Sequence, residues 1–182
     1  MLQVFAPAKT PFAHMLEPIK MRWNDLPKVS CSVARTMSVI GDRWTMLVLR
    51  DLFLGIRRFE DFEKRLGIAR PVLSQRLKKL VEEGVLDRVR YEERPARYEY
   101  RLTPKGRDLY PIIITLTNWG DKHMAGDAGP PVVTRHKPCG GFITPQLTCP
   151  DCGEPIQAKD MQAVPGPGAE ATEHQPAAAK QA

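Results

Sequence analysis

The chain has 182 residues and a formal net charge of +6, with a sequence pI of about 9.3. This length allows one packed domain with accessory segments, and the positive excess is compatible with a polyanionic partner without requiring one. The sequence contains no apolar run near the ~20 residues that a membrane span needs. It also lacks the pattern of a signal peptide at its start, so we expect a cytoplasmic protein.

Composition predicts four regions along the chain. Residues 1–27 form an irregular, proline-containing extension, and an internal methionine, Met21, is a candidate for the true start. Residues 28–126 are densely periodic, residues 127–160 carry a His/Cys cluster, and residues 161–182 form a Pro/Gly/Ala/Gln tail. Such a tail has too few large apolar residues to order itself, so we expect it to be disordered.

The first two predicted helices follow from apolar residues at helical spacing. These residues are Val33, Met37 and Ile40, followed by Trp44, Leu47, Val48 and Leu52. Gly41 ends the first helix, and Asp42 is a favourable N-cap for the second, which runs to Gly55.

The next two predicted helices are joined by a tight turn at residues 67–69. Apolar residues at helical spacing are Phe59, Phe62 and Leu66 before the turn, and Leu73, Leu77, Leu80 and Val81 after it. Pro71 suits the first turn of the later helix, where a missing N–H costs nothing, and Gly84 ends that helix. A helix, a tight turn and a basic helix is the order of a helix-turn-helix.

After Gly84 the period changes from 3.6 to 2. Tyr98, Tyr100 and Leu102 alternate with charged residues, which predicts a half-buried strand. Residues 85–91 are its partner, and residues 92–96 form the hairpin turn. The order of elements therefore predicts a mainly α winged helix-turn-helix fold with a small β-hairpin wing, whose reading unit spans residues 58–102.

A last long helix is predicted from the N-cap Thr103 to Gly120, with a kink at Pro111. Its main stripe comprises Leu109, Ile112, Ile113, Leu116 and Trp119. Tyr110 and Ile114 lie off that stripe, so the helix is apolar on more than one side. Such a helix is usually buried in the core or against another subunit.

The basic helix is a candidate DNA-reading helix. The major groove of DNA admits one α-helix, and the side chains of that helix meet the base edges. Its side opposite the leucines carries Arg70, Ser74, Gln75 and Lys78. We expect Arg76 and Lys79, further round the helix, to contact phosphates, and Arg94 and Arg97 at the hairpin to reach the DNA backbone or the minor groove. The plainer alternative is the solvated face of an amphipathic helix.

Longer motifs make a more specific comparison possible. They include Gly41-Asp42-Arg43-Trp44, residues 67–77, residues 97–106 and Trp119-Gly120-Asp121. With them the chain resembles the HxlR family of bacterial winged-helix regulators over residues 28–157. The resemblance implies a homodimer, joined through its N-terminal and long C-terminal helices, that binds a near-palindromic operator, with repression as our expectation. Relatives often have serine near Ala69, so the first turn here is expected to be capped differently.

The His/Cys cluster predicts a metal site. His136, Cys139, Cys149 and Cys152 present two knuckles, and four soft or imidazole ligands suit a closed, structural, tetrahedral Zn²⁺ site in a zinc-ribbon-like extension. Two alternatives remain: a ribbon that has lost its metal, or a redox-active Cys149–Cys152 pair.

Cys31 is a candidate redox sensor at the start of the first helix. The resemblance implies this role, because some members of the family sense oxidants or electrophiles through a cysteine there, and a helix N-terminus favours the thiolate. The alternative is a small buried residue at a dimer contact.

No catalytic motif is evident, and the other histidines are scattered, so we expect no enzymatic activity. A second possible function is a winged helix that binds another protein, with the zinc ribbon as a docking site.

Overall fold

The computed structural model of the protein describes residues 22–168. The six helices of this part are α1 (Ser32–Ile40), α2 (Arg43–Phe53), α3 (Phe59–Leu66), α4 (Arg70–Glu82), α5 (Pro104–Arg107) and α6 (Tyr110–Met124). Strands β1 (Leu86–Glu92) and β2 (Arg97–Leu102) follow α4, and short 3-10 helices span Trp23–Lys28 and Ala158–Asp160. The candidate start Met21 and most of the predicted extension and tail lie outside the described residues.

The core lies where α2, α3, α4 and the hairpin meet. Its fully buried side chains recur at the predicted helical spacing, and they include Val48, Leu49, Phe62, Leu73, Leu77 and Leu80. Val85 and Leu86 extend this cluster into the hairpin. The structure confirms the mainly helical winged helix-turn-helix fold.

The wing is a two-stranded antiparallel sheet in which Leu86 pairs with Leu102 and Arg88 with Tyr100. The register shifts by one residue between Arg90 and Glu92, and such a bulge increases the local twist. A third segment joins the sheet before α3, where Arg58 bridges Glu99 in antiparallel sense. The Tyr100 amide donates to the Arg57 carbonyl at 2.8 Å. The hairpin is therefore fastened to the segment that leads into α3.

The prediction of one long, kinked C-terminal helix is wrong. Two helices occupy this segment, because α5 ends at Arg107 and α6 begins at Tyr110, with Pro111 in its first turn. A proline cannot donate the helical hydrogen bond, and its ring clashes with the preceding turn, so the chain restarts the helix instead of bending it. Thr103 caps α5 as expected, because its hydroxyl accepts from the Gly106 amide at 3.0 Å.

Gly106 allows α5 to lie directly against the start of the wing. A Cβ at this position would stand 2.2 Å from the Val85 carbonyl oxygen, which is far inside van der Waals contact. The same carbonyl accepts from the Thr103 amide at 3.1 Å. The close backbone approach fixes the helical region after the wing to the wing itself.

A buried carboxylate joins α2 to α3. Asp51 is fully buried, and its Oδ1 accepts from Nη2 of Arg50 at 2.8 Å, while its Oδ2 accepts from Nε of Arg65 at 3.2 Å. Both arginines remain partly exposed. The first helix of the helix-turn-helix is thus positioned by an ion pair as well as by the apolar core.

Two helices keep apolar side chains on the surface. Ile40 of α1 and Ile113 of α6 are buried, whereas Val33 and Met37 of α1 are exposed. The second exposed set lies on α6 and comprises Ile112, Leu116, Trp119 and Met124. These α1 and α6 faces are not covered by the described residues of the same chain.

Residues 127–160, here called the His/Cys module, lie against another side of α6. The two parts line a shared pocket of about 220 Å³, with Ile114 and Thr117 on the side of α6 and Val133, Phe142 and Ile143 on the side of the module. The off-stripe position of Ile114, noted in the sequence, is explained by this neighbour. Across residues 22–168, the helices are all too short or too polar to cross a lipid bilayer.

Candidate nucleic-acid interface

Helix α4 begins without a side-chain cap. Gly67 takes the left-handed conformation that the tight turn requires, with φ of 60°. Ala69 occupies the N-cap, and its carbonyl accepts from the amides of Val72 and Leu73 at 3.0 and 3.1 Å. The first turn, which the sequence predicts to be capped differently from that of relatives with serine here, has no side-chain cap at its N-cap residue.

The predicted reading face of α4, defined as Arg70, Ser74, Gln75 and Lys78, is exposed. It lies opposite Leu73, Leu77 and Leu80, which are fully buried. Lys78 also lies 3.6 Å from Glu82 one turn later, in an exposed ion pair. Pairs of this kind are weak, so Lys78 remains available to an anionic partner.

Arg70 is held along the surface of α3. Its Nη1 donates to Glu63 Oε2 at 2.8 Å, and its guanidinium lies 5.0 Å from the centre of the Phe59 ring. The side chain is nevertheless largely exposed. Arg70 must exchange the Glu63 carboxylate for a base or phosphate in order to contact DNA.

A groove of about 1050 Å³ runs between α4 and the wing. It brings together Ser74 and Lys78 of the reading face with Arg97 of the wing. Glu60, Asp61 and Glu82 also line it, so the groove is not uniformly positive. Its cationic side chains come from α4, from the segment before α3 and from the wing, and this arrangement allows one helix and one wing to contact a duplex together.

The wing presents several arginines around its turn. Arg94 is exposed within the turn, and Arg97 at the start of β2 lies 3.2 Å from Glu92 Oε2. Arg90 braces the same turn by donating to the carbonyls of Glu92 and Glu93. These backbone hydrogen bonds and the Arg97–Glu92 ion pair order the turn, and Arg94 remains exposed within it.

Arg76 and Lys79, the predicted phosphate contacts, lie on another side of α4. Arg76 is partly buried, with its Nε 3.0 Å from Oδ1 of Asp42. Lys79 donates from Nζ to the Ser38 carbonyl. The structure does not bring these two residues together with the reading face, and a phosphate contact would have to replace these internal partners.

Asp42 has a double role that the sequence shows only in part. Its Oδ1 accepts from the amides of Trp44 and Thr45, as expected for the N-cap of α2. The same oxygen is the partner of Arg76. The cap of α2 is therefore also the anchor that orients α4 against α1 and α2.

Two arginines of the groove were not identified from the sequence. Arg58 lies 4.7 Å from the centre of the Tyr91 ring, and Arg88 lies 3.7 Å from that of Tyr98. The pKa of Tyr100 beside them is raised above its usual value, chiefly because the hydroxyl is buried. The charge of Arg88 opposes this rise, and the charge of Glu60 adds to it. The alternation of Arg88 and Arg90 along β1 was the available signal, but it does not say which face turns toward α4.

The His/Cys module contains two short turns with a ligand pair in each. Nδ1 of His136 lies 3.2 Å from Sγ of Cys139. Amides of Cys152 and Asp151 and the Cys152 side chain lower the pKa of the Cys149 thiol. Within residues 22–168, no three His, Cys, Asp or Glu side chains converge into a metal-binding group. The structure thus forms the two predicted pairs but does not bring them together.

Cys31 occupies the N-cap position of α1 and is exposed. Its backbone carbonyl accepts from the Arg35 amide at 3.0 Å, which closes the first turn. The thiol lies at the end of the helix whose Val33 and Met37 are uncovered. This position is compatible both with a redox sensor and with a small residue at a dimer contact, the two roles considered for Cys31.

A family model described as HxlR-like helix-turn-helix matches residues 39–128. Rv3095 of Mycobacterium tuberculosis, an uncharacterised HTH-type transcriptional regulator, is 49% identical over 137 residues, which are 75% of this chain and 87% of the relative. YdeP of Bacillus subtilis, which has the same description, is 36% identical over 94 residues, or 51% of this chain and 73% of YdeP.

Two solved structures are similar to this one. PA1607, a proposed transcription factor, has a TM-score of 0.70 at 38% identity, with 76% of this chain and 96% of PA1607 covered. PA1374 of Pseudomonas aeruginosa, also a proposed transcription factor, has a TM-score of 0.54 at 33% identity, with 76% and 94% covered.

The helix-turn-helix, its wing and these relatives define a DNA-binding transcriptional regulator of the winged-helix class. Within that class, the chain belongs to the HxlR-like helix-turn-helix family.

Proposed function

We propose that this protein is a cytoplasmic, homodimeric repressor that binds a near-palindromic operator. The groove that joins the reading face to Arg97 carries the proposal. Helix α4 enters the major groove, where Gln75 and Arg70 read base edges and Lys78 contacts phosphate. Arg94 and Arg97 of the wing contact the neighbouring backbone. Two α4 helices in a twofold dimer place the half-sites about one helical turn apart, and repression results when the bound dimer blocks transcription.

The experiment measures binding to DNA from upstream of its own gene by fluorescence anisotropy over a salt series. Lys78→Ala weakens binding to all sequences and lowers the salt slope by about 0.9, because one phosphate contact is lost. Gln75→Ala instead costs about 1–3 kcal/mol of discrimination between sequences. Lys159→Ala, an exposed cation outside the groove, is the matched control and changes neither quantity.

Binding that does not depend on salt, or equal losses for Lys78→Ala and Lys159→Ala, contradicts this interface. Such a result would favour the alternative, a winged helix that binds protein. A reporter fused to the bound promoter tests the sign of regulation. Deletion of the regulator raises its expression if the protein represses.

The homodimer is supported by the uncovered apolar faces of α1 and α6. Val33 is 70% exposed, and Leu116 and Trp119 are 52% and 57% exposed. Large apolar side chains that are exposed together on one helix mark an interaction site, and aromatic residues are enriched at interface centres. The pairing of equivalent faces satisfies the self-complementarity of a twofold interface.

Light scattering at several protein concentrations tests the dimer. Leu116→Glu yields a monomer, because a charge in an apolar interface loses its hydration. Val164→Glu changes another exposed apolar residue, outside both helices, and leaves the dimer intact. A dimer that persists in Leu116→Glu and in a Trp119→Glu variant would place the interface elsewhere.

The assignment of Arg76 and Lys79 to phosphate contacts remains part of the proposal in a modified form. Each holds an internal partner, so their loss also disturbs the orientation of α4. Arg76→Ala therefore lowers both the unfolding free energy and DNA affinity, whereas Lys78→Ala lowers affinity alone. If Arg76→Ala leaves stability unchanged and weakens binding, a direct phosphate contact is favoured.

A response to oxidants or electrophiles through Cys31 is proposed because the thiol is exposed at the end of α1, beside the proposed dimer face. Modification there changes the dimer geometry and with it the operator spacing. The test compares operator affinity before and after mild peroxide or quinone treatment. An equal response in wild type and Cys31→Ser would exclude this cysteine as the sensor.

A further inference from the structure

The His/Cys module is built from two copies of the same backbone turn. In the first, the His136 amide donates to the Gly141 carbonyl at 2.8 Å, and the Gly140 amide donates to the His136 carbonyl at 2.7 Å. In the second, the Cys149 amide donates to the Glu154 carbonyl at 2.9 Å, and the Gly153 amide donates to the Cys149 carbonyl at 2.8 Å. The two hydrogen bonds join equivalent positions in each turn.

The likeness extends beyond these hydrogen bonds. Each turn is closed by one antiparallel bridge at the next pair outward, Arg135 with Phe142 and Thr148 with Pro155. The glycine after the second ligand has positive φ in both, 71° at Gly140 and 75° at Gly153. A side chain at either glycine would be strained, so both turns depend on the same residue type at the same place.

The module has no apolar core to account for this order. Not one side chain in residues 127–160 is buried. Phe142 and Leu147 are 65% and 71% exposed. A segment this short cannot be stabilised by hydrophobic burial alone, and small domains of this kind usually depend on a metal or a disulfide. The four cysteines of the chain are free, so no disulfide holds the two turns, and the pocket shared with α6 is lined by Phe142 and Ile143 of the module but by none of the His/Cys ligands.

We propose that the two turns are zinc knuckles that close on one Zn²⁺ held by His136, Cys139, Cys149 and Cys152. Three thiolates and one imidazole fill a tetrahedral shell, so the site is structural and closed to substrate. Zinc is favoured over harder cations because they prefer oxygen ligands. None of these four ligands belongs to the proposed DNA interface, so zinc binding can be tested independently of DNA binding.

Closure requires one knuckle to move as a body against the other. Each knuckle is tied at its base, by the Ile143 amide to the Thr134 carbonyl and by the Ile156 amide to the Leu147 carbonyl. Within the described residues, the backbone of residues 144–146 between them makes no such bond. Rotation in this link brings the ligand pairs together without breaking either turn, and zinc coordination supplies the free energy for it.

The test uses the full chain, purified without added metal, then incubated with Zn²⁺ and freed of excess. Metal analysis finds about one zinc per chain. Co²⁺ in its place gives the intense d–d bands of a tetrahedral site and a thiolate-to-cobalt charge-transfer band. Cys149→Ser loses the tetrahedral bands and more than half of the bound metal, whereas Cys31→Ser, a cysteine outside the module, behaves as wild type.

Hydrogen exchange adds a readout that does not depend on DNA. The amides of Gly140 and Gly153 become protected when Zn²⁺ binds and exchange rapidly after chelation, while amides of α4 are unaffected. One zinc per two chains or less would overturn the single-chain site. Full metal binding by Cys149→Ser and Cys152→Ser, or a Cys149–Cys152 disulfide in zinc-free protein prepared under nitrogen, would also overturn it.

Discussion

The winged-helix domain, residues 28–126, and the His/Cys module obtain their order in different ways. In the domain, large side chains such as Phe62, Leu73 and Leu77 are removed from water completely. In the module, backbone hydrogen bonds and left-handed glycines define the conformation while every side chain retains solvent contact. The same chain thus combines a domain with a closed apolar core and a segment whose local turns form without one.

Truncation of an apolar side chain is expected to give the largest difference in unfolding free energy between the two regions. Leu77→Ala in α4 lowers the unfolding free energy by about 2–5 kcal/mol, because it leaves a cavity in a closed core. Leu147→Ala, the same change in the module, stays within about 0.5 kcal/mol because that side chain is already in water. Urea denaturation followed by circular dichroism measures both, and equal losses would show that the two regions do not differ in apolar burial.

Glycine substitution gives the next contrast. Gly106→Ala lowers the unfolding free energy by about 1–3 kcal/mol, because its methyl group collides with the Val85 carbonyl and forces α5 off the wing. In the module, a Cβ on Gly141 would meet Cys139 Sγ at 3.5 Å, an ordinary contact. Thermal unfolding of both variants checks this, and an unchanged midpoint for Gly106→Ala would show that the backbone can separate there.

The buried carboxylate of the domain has no equivalent among the described residues of the module. Asp51→Ala lowers the unfolding free energy by about 1–3 kcal/mol, since its hydrogen bonds are lost while Arg50 and Arg65 regain water. Asp127→Asn, an exposed carboxylate in the module, serves as the control. Denaturant titration of the two variants decides whether the ion pair stabilises the α2–α3 junction.

The smallest expected effect concerns alkaline pH. Burial raises the pKa of Tyr100, so the folded state retains a proton that the unfolded chain loses near pH 10. Its contribution to stability is therefore complete below about pH 10 and is lost as pH rises through the higher folded pKa. All four tyrosines lie in the domain. Tyr100→Phe therefore makes the decline of the unfolding free energy above pH 10 shallower. Denaturant titrations from pH 8 to 11 measure this decline, and an equal slope in wild type and variant would contradict the prediction.

Most of the domain was predictable because its signals are local. The 3.6-residue spacing of Leu73, Leu77 and Leu80 and the two-residue spacing of the wing each reflect one face of one element. The structure confirms the order and approximate limits of these helices and strands. Asp42 was recognised as a cap for the same reason, because a cap satisfies amides two and three residues away.

The orientation of several basic side chains at the proposed interface could not be predicted from the sequence, because it depends on long-range contacts. Arg76 and Lys79 carry the same positive charge as Lys78, and only the packing of α4 on α1 and α2 turns them inward. Arg88 enters the groove because the hairpin folds back toward α4. No spacing rule within one element contains that information.

Patterns in the sequence were enough to predict the winged helix-turn-helix order, the face of α4 opposite the leucines and the two pairs of potential metal ligands. The folded chain was needed to show that a new helix begins at Pro111, that Asp51 is buried between two arginines and that the two ligand pairs occupy equivalent turns. The division has a physical reason. Periodicity and capping act over a few residues, whereas burial, ion pairing and the juxtaposition of separate turns depend on segments brought together by the fold.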